Sequence, residues 1–200
     1  MQAKPAITRV KIHDIIQNRW SPRAFDANKP VSHDDLLTLL EAARWAASCF
    51  NDQPWRFVVF DKNTDADSWQ TALSTLAERN QLWAKNAPVL ILSVAMANFN
   101  HNDKPNRLAM YDTGAACATL SLQATALGLI THQMGGYDGE KARELFHLPH
   151  DCTPMAMIAV GYQAEIETLH EEFKSSELAE RTRAALQERF YAGQWAVPFN

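Results

Sequence analysis

The spacing of apolar and polar residues predicts helices and strands that alternate along most of the chain. Apolar positions at helical spacing predict a helix over about 33–47, which Ser32 and Asp35 begin as an acidic variant of a capping box. The residues of 108–127 are apolar nearly all round, which is typical of a central helix, and Gly128 lies where a helix-ending glycine belongs. Further helices are predicted over 11–18, from Trp69 to Ala77, over 140–146 and through the charged stretch that ends at Gly193.

Short apolar runs predict four strands, over 55–60, over 89–95, from Leu129 to Gly135-Gly136, and over 155–162. Neither an internal repeat nor a Pro/Gly/Ser-rich linker divides the chain, so one domain over 1–200 is expected, of class α/β or α+β. By pattern alone, alternating strands and helices favour a doubly wound parallel sheet. The glycine fingerprint of dinucleotide-binding sheets is missing, however.

Composition narrows the class of protein further. With 200 residues, 46% of them apolar and 21% charged, the chain is long and apolar enough to bury a core. Its net charge of −4 provides no field for nucleic acid or an anionic membrane, and no run approaches the roughly 18 apolar residues of a membrane span. Three cysteines are too few for a disulfide framework, so a cytoplasmic location is expected.

The most suggestive polar cluster is a turn near the N-terminus. Arg19, Ser21 and Arg23 alternate around Pro22, so in an extended stretch their side chains project to one side. Guanidinium groups pair bidentately with phosphate and a hydroxyl adds a donor, so the turn could bind a mononucleotide phosphate. A solvated basic turn explains the same residues.

Two other polar clusters could bind a ligand. Arg181 and Arg183 repeat the alternation near the C-terminus, although neighbouring glutamates could pair with them on a helix. Ser48, Asn51 and Gln53 crowd a short loop before a predicted strand, where they suit a planar polar ligand; turn capping accounts for them equally well.

Metal and thiol chemistry are not expected. His147, His150 and Cys152 are the only local group of potential metal ligands, but Pro149 breaks the helix that would place both histidines on one face. Cys49 has no nearby histidine to activate its thiol, which favours a small buried residue over a nucleophile.

Five segments together resemble the flavin-dependent nitroreductase family, in the family's order and over nearly the whole chain. They are residues 19–25 (RWSPRAF), 47–55 (ASCFNDQPW), 112–116 (DTGAA), 126–129 (ALGL) before Gly135-Gly136, and the closing Gly193-Gln194-Trp195. Each is weak alone, and the match rests on their joint order and spacing.

The resemblance implies an α+β fold, with a mixed sheet flanked by helices, in an interlocked homodimer. It implies two FMN sites at the subunit interface, and the expectation of a parallel sheet yields to it. The implied activity passes reducing equivalents from NADH or NADPH to a nitroaromatic, a quinone or a similar small electrophile. Flavin N5 carries the chemistry, so no catalytic side chain is expected. A non-catalytic flavin-binding or storage protein and a colourless interaction domain are the alternatives.

The resemblance also assigns roles to individual residues. Phosphate contacts fall to Arg19, Arg181 and Arg183, and contacts to the ribityl and pyrimidine side fall to Ser21 and Arg23, beside the pocket-lining Trp20. Further cofactor contacts fall to Asn80, to Met134, Gly135 and Gly136 near the flavin N5 edge, and, from the other subunit, to Ser48, Cys49 and Asn51. Many relatives carry a glutamate at the first glycine, so Gly135 can make only a backbone contact. Cys49 and Phe50 replace the small residues usual in the family, and this change affects the pocket size.

Overall fold

A computed structural model describes residues 4–199. Its helices and strands, in chain order, are α1 (Asp14–Asn18), α2 (His33–Arg44), β1 (Trp55–Asp61), α3 (Ala66–Ser74), α4 (Glu78–Ala84), β2 (Val89–Met96), α5 (Ala109–Ala126), β3 (Ile130–Met134), α6 (Gly139–Leu145), β4 (Cys152–Gly161) and α7 (Glu171–Leu178). Over this range, no helix combines the length and the apolar character needed to cross a membrane.

The four strands form one sheet in the order β1-β2-β4-β3, and all three pairings are antiparallel. The α+β class is therefore confirmed, and the doubly wound parallel sheet suggested by pattern alone is wrong. Within residues 4–199 the sheet is purely antiparallel and not mixed. Helices α3 and α4 return the chain from β1 to an adjacent antiparallel β2, so helices between strands did not require a parallel crossover.

Strand β2 lies inside the sheet and separates two apolar cores. Leu90 and Leu92 pack with Trp83 on one face, whereas Val89 and Ile91 pack on the other face with residues of α2 and α5. This division follows from the period of two along a strand. Helix α5 also contacts β1 and β3, which confirms that the apolar segment 108–127 is central.

As predicted, capping residues lie at the N-terminus of α2 and at the C-terminus of α5, the two longest of these helices. Ser32 Oγ accepts a hydrogen bond from the Asp35 N–H at 3.0 Å, as a capping residue does, and it donates one to the Asp35 carboxylate at 2.8 Å. Gly128 has φ +74°, and the Leu129 N–H donates to the Ala124 carbonyl oxygen at 2.8 Å. This left-handed glycine ends α5 and turns the chain into β3.

Two predicted helices differ in the structure. The helix predicted from Trp69 to Ala77 ends at Ser74, and a separate helix, α4, follows from Glu78. The predicted helix up to Gly193 is wrong beyond Leu178: residues 179–199, called here the C-terminal arm, contain only a short 3-10 turn at Leu186–Glu188. The arm buries no apolar stripe against its own chain, and a helix without such packing gains little stability in water.

Candidate functional site

The basic turn of residues 19–25 is fastened to the end of the sheet. Backbone hydrogen bonds of 2.9 Å join residues 24 and 26 to residues 164 and 162, just beyond β4. Phe25 is buried and stacks on Trp83 of α4, with ring centroids 6.0 Å apart. Because backbone and aromatic contacts both fix the turn, its polar side chains start from a defined position.

A cluster of guanidinium groups lies beside this turn. Arg19, Arg181 and Arg183 line one cavity of about 480 Å³ between the N-terminal segment and the C-terminal arm. Burial and the neighbouring Arg183 lower the pKa of Arg19, whose Nη1 lies 3.5 Å from the Ser21 hydroxyl. None of the three arginines forms a salt bridge with an acidic side chain within residues 4–199, so the predicted pairing of the arginines with neighbouring glutamates is not observed. An uncompensated cluster of this kind suits a phosphate.

Arg181 also has a structural task. Its Nη1 donates to the carbonyl oxygens of Lys4 (2.8 Å) and Gln17 (2.7 Å), and its Nη2 donates to that of Arg19 (2.9 Å). These bonds tie the C-terminal arm to the N-terminal segment. Among the described residues, the Arg183 guanidinium donates only to the adjacent Thr182 carbonyl, and it is exposed. Arg19 and Arg183 are therefore better placed than Arg181 to bind a phosphate.

Arg23 points away from this cluster, towards α7. Its guanidinium carbon lies 5.7 Å from the ring centroid of Phe173, and its Nη1 is 4.0 Å from Oε2 of the buried Glu177. The Glu177 Oε1 atom accepts a hydrogen bond from the Arg23 N–H at 2.8 Å. Arg23 is thus held through its backbone and faces a carboxylate, which the sequence had not indicated.

His132 of β3 also contacts the turn of residues 19–25. Its Nδ1 lies 3.0 Å from the Pro22 carbonyl oxygen, so the neutral ring donates from Nδ1, and the ring packs on Trp83 at 4.6 Å between centroids. Burial is the main reason that the pKa of His132 falls to about 4, and the nearby Arg23 lowers it further. His132 is therefore neutral at pH 7.

Asn80 and the glycine pair meet at the end of β3. The Asn80 side-chain amide donates to the Gly136 carbonyl oxygen at 2.9 Å, as does the Ala77 N–H. A Cβ atom at Gly136 would lie 2.8 Å from Asn80 Nδ2, so this close approach requires a glycine or a displaced amide. Gly135 and Gly136 are exposed beside the buried Met134, which leaves their backbone accessible to a ligand.

The loop of residues 48–53 is the other predicted part of the site, and it is held in a strained form. Phe50, Asn51 and Gln53 have φ between 52° and 54°, a region that non-glycine residues seldom adopt. The Cys49 N–H donates to Asp112 Oδ2, and the Gln53 N–H donates to Ser48 Oγ, both at 3.0 Å. These bonds compensate for the strain and leave the Asn51 side chain exposed.

The loop and the turn lie at opposite ends of α5. Asp112, which holds the loop, is in the first turn of α5, whereas Trp20 lines a cavity of about 530 Å³ with Thr125 and Ala126 from its last turn. Thirteen residues of helix separate the two positions, or about 20 Å at 1.5 Å per residue. The contacts within one chain therefore assemble two groups. One contains the turn residues Arg19, Trp20, Ser21 and Arg23 with Arg181 and Arg183, and the other contains Ser48, Cys49 and Asn51. Asn80, Met134, Gly135 and Gly136 lie at the end of β3 and are linked to the turn indirectly, through Trp83 of α4, which packs on Phe25 and His132.

Sequence reasoning missed the residues that support both groups. Asp112 carried a usable signal, because an acidic residue in an otherwise apolar helix is unusual and needs a partner. His132 and Glu177 carried none, since their contacts with Pro22 and Arg23 join residues 110 and 154 positions apart in the chain.

Comparison with known proteins supports one family. Residues 16–162 match the model of the nitroreductase family. The structure resembles that of an oxidoreductase containing FMN, with a TM-score of 0.89 and 32% identity over 98% of both chains. It also resembles a nitroreductase family protein from Clostridium difficile, with a TM-score of 0.68 and 25% identity over 90% of this chain and 96% of that one.

One further relative is similar to this chain over part of its length. The major NAD(P)H-flavin oxidoreductase of Aliivibrio fischeri is 32% identical over 97 residues, which is 48% of this chain and 44% of that protein. Since the family model covers well over half of the chain, the protein belongs to the nitroreductase family.

Proposed function

We propose that the protein is an FMN-dependent oxidoreductase that takes reducing equivalents from NADH or NADPH and passes them to a nitroaromatic, a quinone or a similar electrophile. The observation that carries the proposal is the guanidinium cluster of Arg19 and Arg183, which has no acidic partner within residues 4–199 and lies beside a fixed turn. The chemistry of this donor set fits one terminal phosphate. Its place in a nitroreductase-family chain makes FMN the matching ligand.

The other residues of the turn would bind the rest of the cofactor. Ser21 offers a hydroxyl to the ribityl side, and Arg23 offers positive charge to the pyrimidine side, where reduction adds negative charge. Asn80 and the backbone of Gly135 and Gly136 would lie along the ring. A bound flavin supplies a hydride acceptor and donor at N5, so the chain itself has only to bind, orient and supply the electrostatic environment. Protons can come from water.

The active form is proposed to be a homodimer with two shared sites. Separation of the loop and the turn along α5 supports this: pairing two α5 helices in opposite directions would bring the loop of one chain to the turn of its partner. The outer side of α5 suits such an interface, because Met110 and Tyr111 are 55% and 77% exposed.

The C-terminal arm gives further support for a dimer. Large apolar residues along the arm are exposed, namely Leu186, Phe190, Trp195, Val197 and Phe199. An apolar segment that finds no cover on its own chain suits a partner's surface. Location in the cytoplasm stays part of the proposal, and it is supported by three cysteines that are free thiols in the structure.

The decisive test is spectroscopic and kinetic. Purified protein, or protein reconstituted with FMN, should be yellow, and heat should release a chromophore that runs with FMN on chromatography. NADH or NADPH should then be oxidised when a quinone or a nitroaromatic is present. Protein that binds FMN without turnover would be a flavin-binding or storage protein. A colourless protein that cannot be reconstituted, or one that releases FAD, would contradict the proposal.

A further inference from the structure

Helix α7 presents two residues to Arg23. Phe173 and Glu177 are four positions apart and therefore lie on the same face of the helix. The Arg23 guanidinium packs against the Phe173 ring from one side, and Arg79 lies 5.4 Å from its centroid. Glu177, at 1% exposure, is more deeply buried than Asp112 (4%) or Asp52 (8%). The turn of residues 19–25 is thus in contact with α7 as well as with the end of the sheet.

The two oxygens of Glu177 have different surroundings. Oε1 accepts hydrogen bonds from the N–H groups of Arg23 (2.8 Å) and Ala24 (3.3 Å), and this fixes the backbone of the turn. Oε2 is buried, makes no hydrogen bond within residues 4–199, and lies 4.0 Å from Arg23 Nη1. A buried carboxylate oxygen without a donor is costly unless nearby cations offset the cost. Two cations lie near Glu177: Arg23, and Lys4, whose Nζ donates to the Glu177 backbone carbonyl at 2.6 Å. Accepting the two backbone hydrogen bonds would not by itself require a charged side chain at position 177.

We propose that Glu177 is a positioning residue that lowers the reduction potential of the bound flavin by opposing the positive charge of Arg23. This inference rests on the proposed function. Hydride transfer from NAD(P)H releases NAD(P)⁺ and brings two electrons and one proton into the site, so the net charge of the site becomes one unit more negative. Arg23 favours that change, whereas a fixed carboxylate 4.0 Å away disfavours it. A lower potential preserves the driving force for passing electrons to the acceptor.

The variant Glu177→Gln separates the charge from the backbone contacts. Its amide oxygen can still accept from both N–H groups, while the negative charge is lost. The dissociation constants of oxidised and reduced FMN are measured by fluorescence titration under anaerobic conditions. We expect the ratio of oxidised to reduced dissociation constants to rise about tenfold, which corresponds to about 30 mV for a two-electron couple. The potential itself is read independently against a reference dye.

A matched control lies on the same helix. Glu171 is exposed and pairs with Lys174 at 2.8 Å, so Glu171→Gln removes the same charge from α7 without touching the turn. The ratio should stay within about twofold of wild type in this variant. The double variant Arg23→Gln with Glu177→Gln loses both charges of the pair and should return the ratio towards the wild-type value.

The outcomes are distinct. Equal losses of affinity for both redox states, with an unchanged ratio, would make Glu177 a purely structural residue and overturn the inference, as would a falling ratio. Wild-type protein that binds no FMN would instead refute the proposed function. If Glu177→Gln yields no folded protein, the double variant is compared with Arg23→Gln alone. Loss of the carboxylate should still raise the ratio, and equal ratios in these two variants would overturn the inference.

Discussion

The carboxylate of Asp112 holds the backbone of Cys49, with 3.0 Å between Asp112 Oδ2 and the Cys49 nitrogen. Asp112 is 4% exposed, in the first turn of a helix that is otherwise mainly apolar. Immediately after Cys49, Phe50 and Asn51 both have φ of 54°. A left-handed pair of non-glycine residues persists only where its surroundings impose it, and this buried carboxylate is one of those constraints.

Replacing Asp112 should therefore loosen the loop. Asp112→Ala leaves the Cys49 N–H without its acceptor, and we expect a loss of about 1–3 kcal/mol in the free energy of unfolding, measured with urea. Asp112→Asn keeps an acceptor oxygen and should lose less. FMN affinity should fall more in the alanine variant than in the asparagine variant. Equal stability in all three proteins would mean that the loop does not depend on Asp112.

The arginine cluster makes a second prediction. Arg19→Ala and Arg183→Ala each remove a charge-assisted contact to phosphate, so FMN affinity should fall about 10- to 150-fold. Riboflavin lacks the phosphate and provides the control, since its affinity should hardly change. Arg181→Ala loses three bonds to backbone carbonyls and should lower thermal stability as well. If Arg19→Ala or Arg183→Ala lowers the affinities for riboflavin and for FMN by the same factor, the phosphate binds elsewhere.

The protein should lose stability in mild acid because of His132. Its pKa in the folded protein is about 4, below the usual value near 6.5, so the unfolded chain binds more protons as pH falls. Stability is fully retained above about pH 6.5 and declines down to about pH 4, with a loss of about 2 kcal/mol between pH 7 and pH 5.

Urea unfolding at pH 7, 6 and 5 measures this decline. His132→Gln keeps a donor for the Pro22 carbonyl but does not titrate, so its stability should depend less on pH by about that amount. His33→Gln, at the exposed start of α2, is the matched control and should behave like wild type. A pH dependence that is the same in all three proteins would show that His132 is not the group responsible.

Local signals in the sequence predicted more of the fold than of the site. Ser32, Asp35 and Gly128 specify helix ends through neighbours a few residues away, and these predictions are confirmed. Strand direction depends on contacts across the whole sheet, which is why pattern alone favoured the wrong topology. The single-domain boundary over 1–200 stays a prediction. The helix predicted beyond Leu178 is wrong because charged residues alone do not stabilise a helix, and the large apolar residues of the arm are exposed.

The sequence predicted which residue types belong to the site, but it could not predict the electrostatic interactions between them. Arg19 and Arg183 are 164 positions apart, yet they line one cavity, where burial and the charge of Arg183 lower the pKa of Arg19. Pairing of Arg23 with Glu177 likewise depends on the docking of α7. Residues that bind a ligand directly can be found from a sequence motif. Residues that change the charge environment of those ligand-binding residues can be found only from the tertiary fold.

The last prediction concerns the shared site. In the proposed dimer, Arg23 of one chain and Asn51 of the other belong to the same flavin site, because the turn and the loop lie at opposite ends of α5. Arg23→Ala and Asn51→Ala homodimers should each carry two damaged sites. Mixing the two chains should produce heterodimers with one doubly damaged site and one intact site, and activity should recover towards that of a single wild-type site.

Two differently tagged chains, exchanged and then purified through both tags, allow the heterodimer to be assayed alone. Recovery should be accompanied by one high-affinity FMN site per heterodimer, since the intact site keeps every contact of the wild-type protein. If Arg23 and Asn51 instead served the same chain's site, each site would carry one substitution. Activity that never exceeds the mean of the two mutant homodimers, after proven exchange, would refute the shared site and with it the antiparallel pairing of α5.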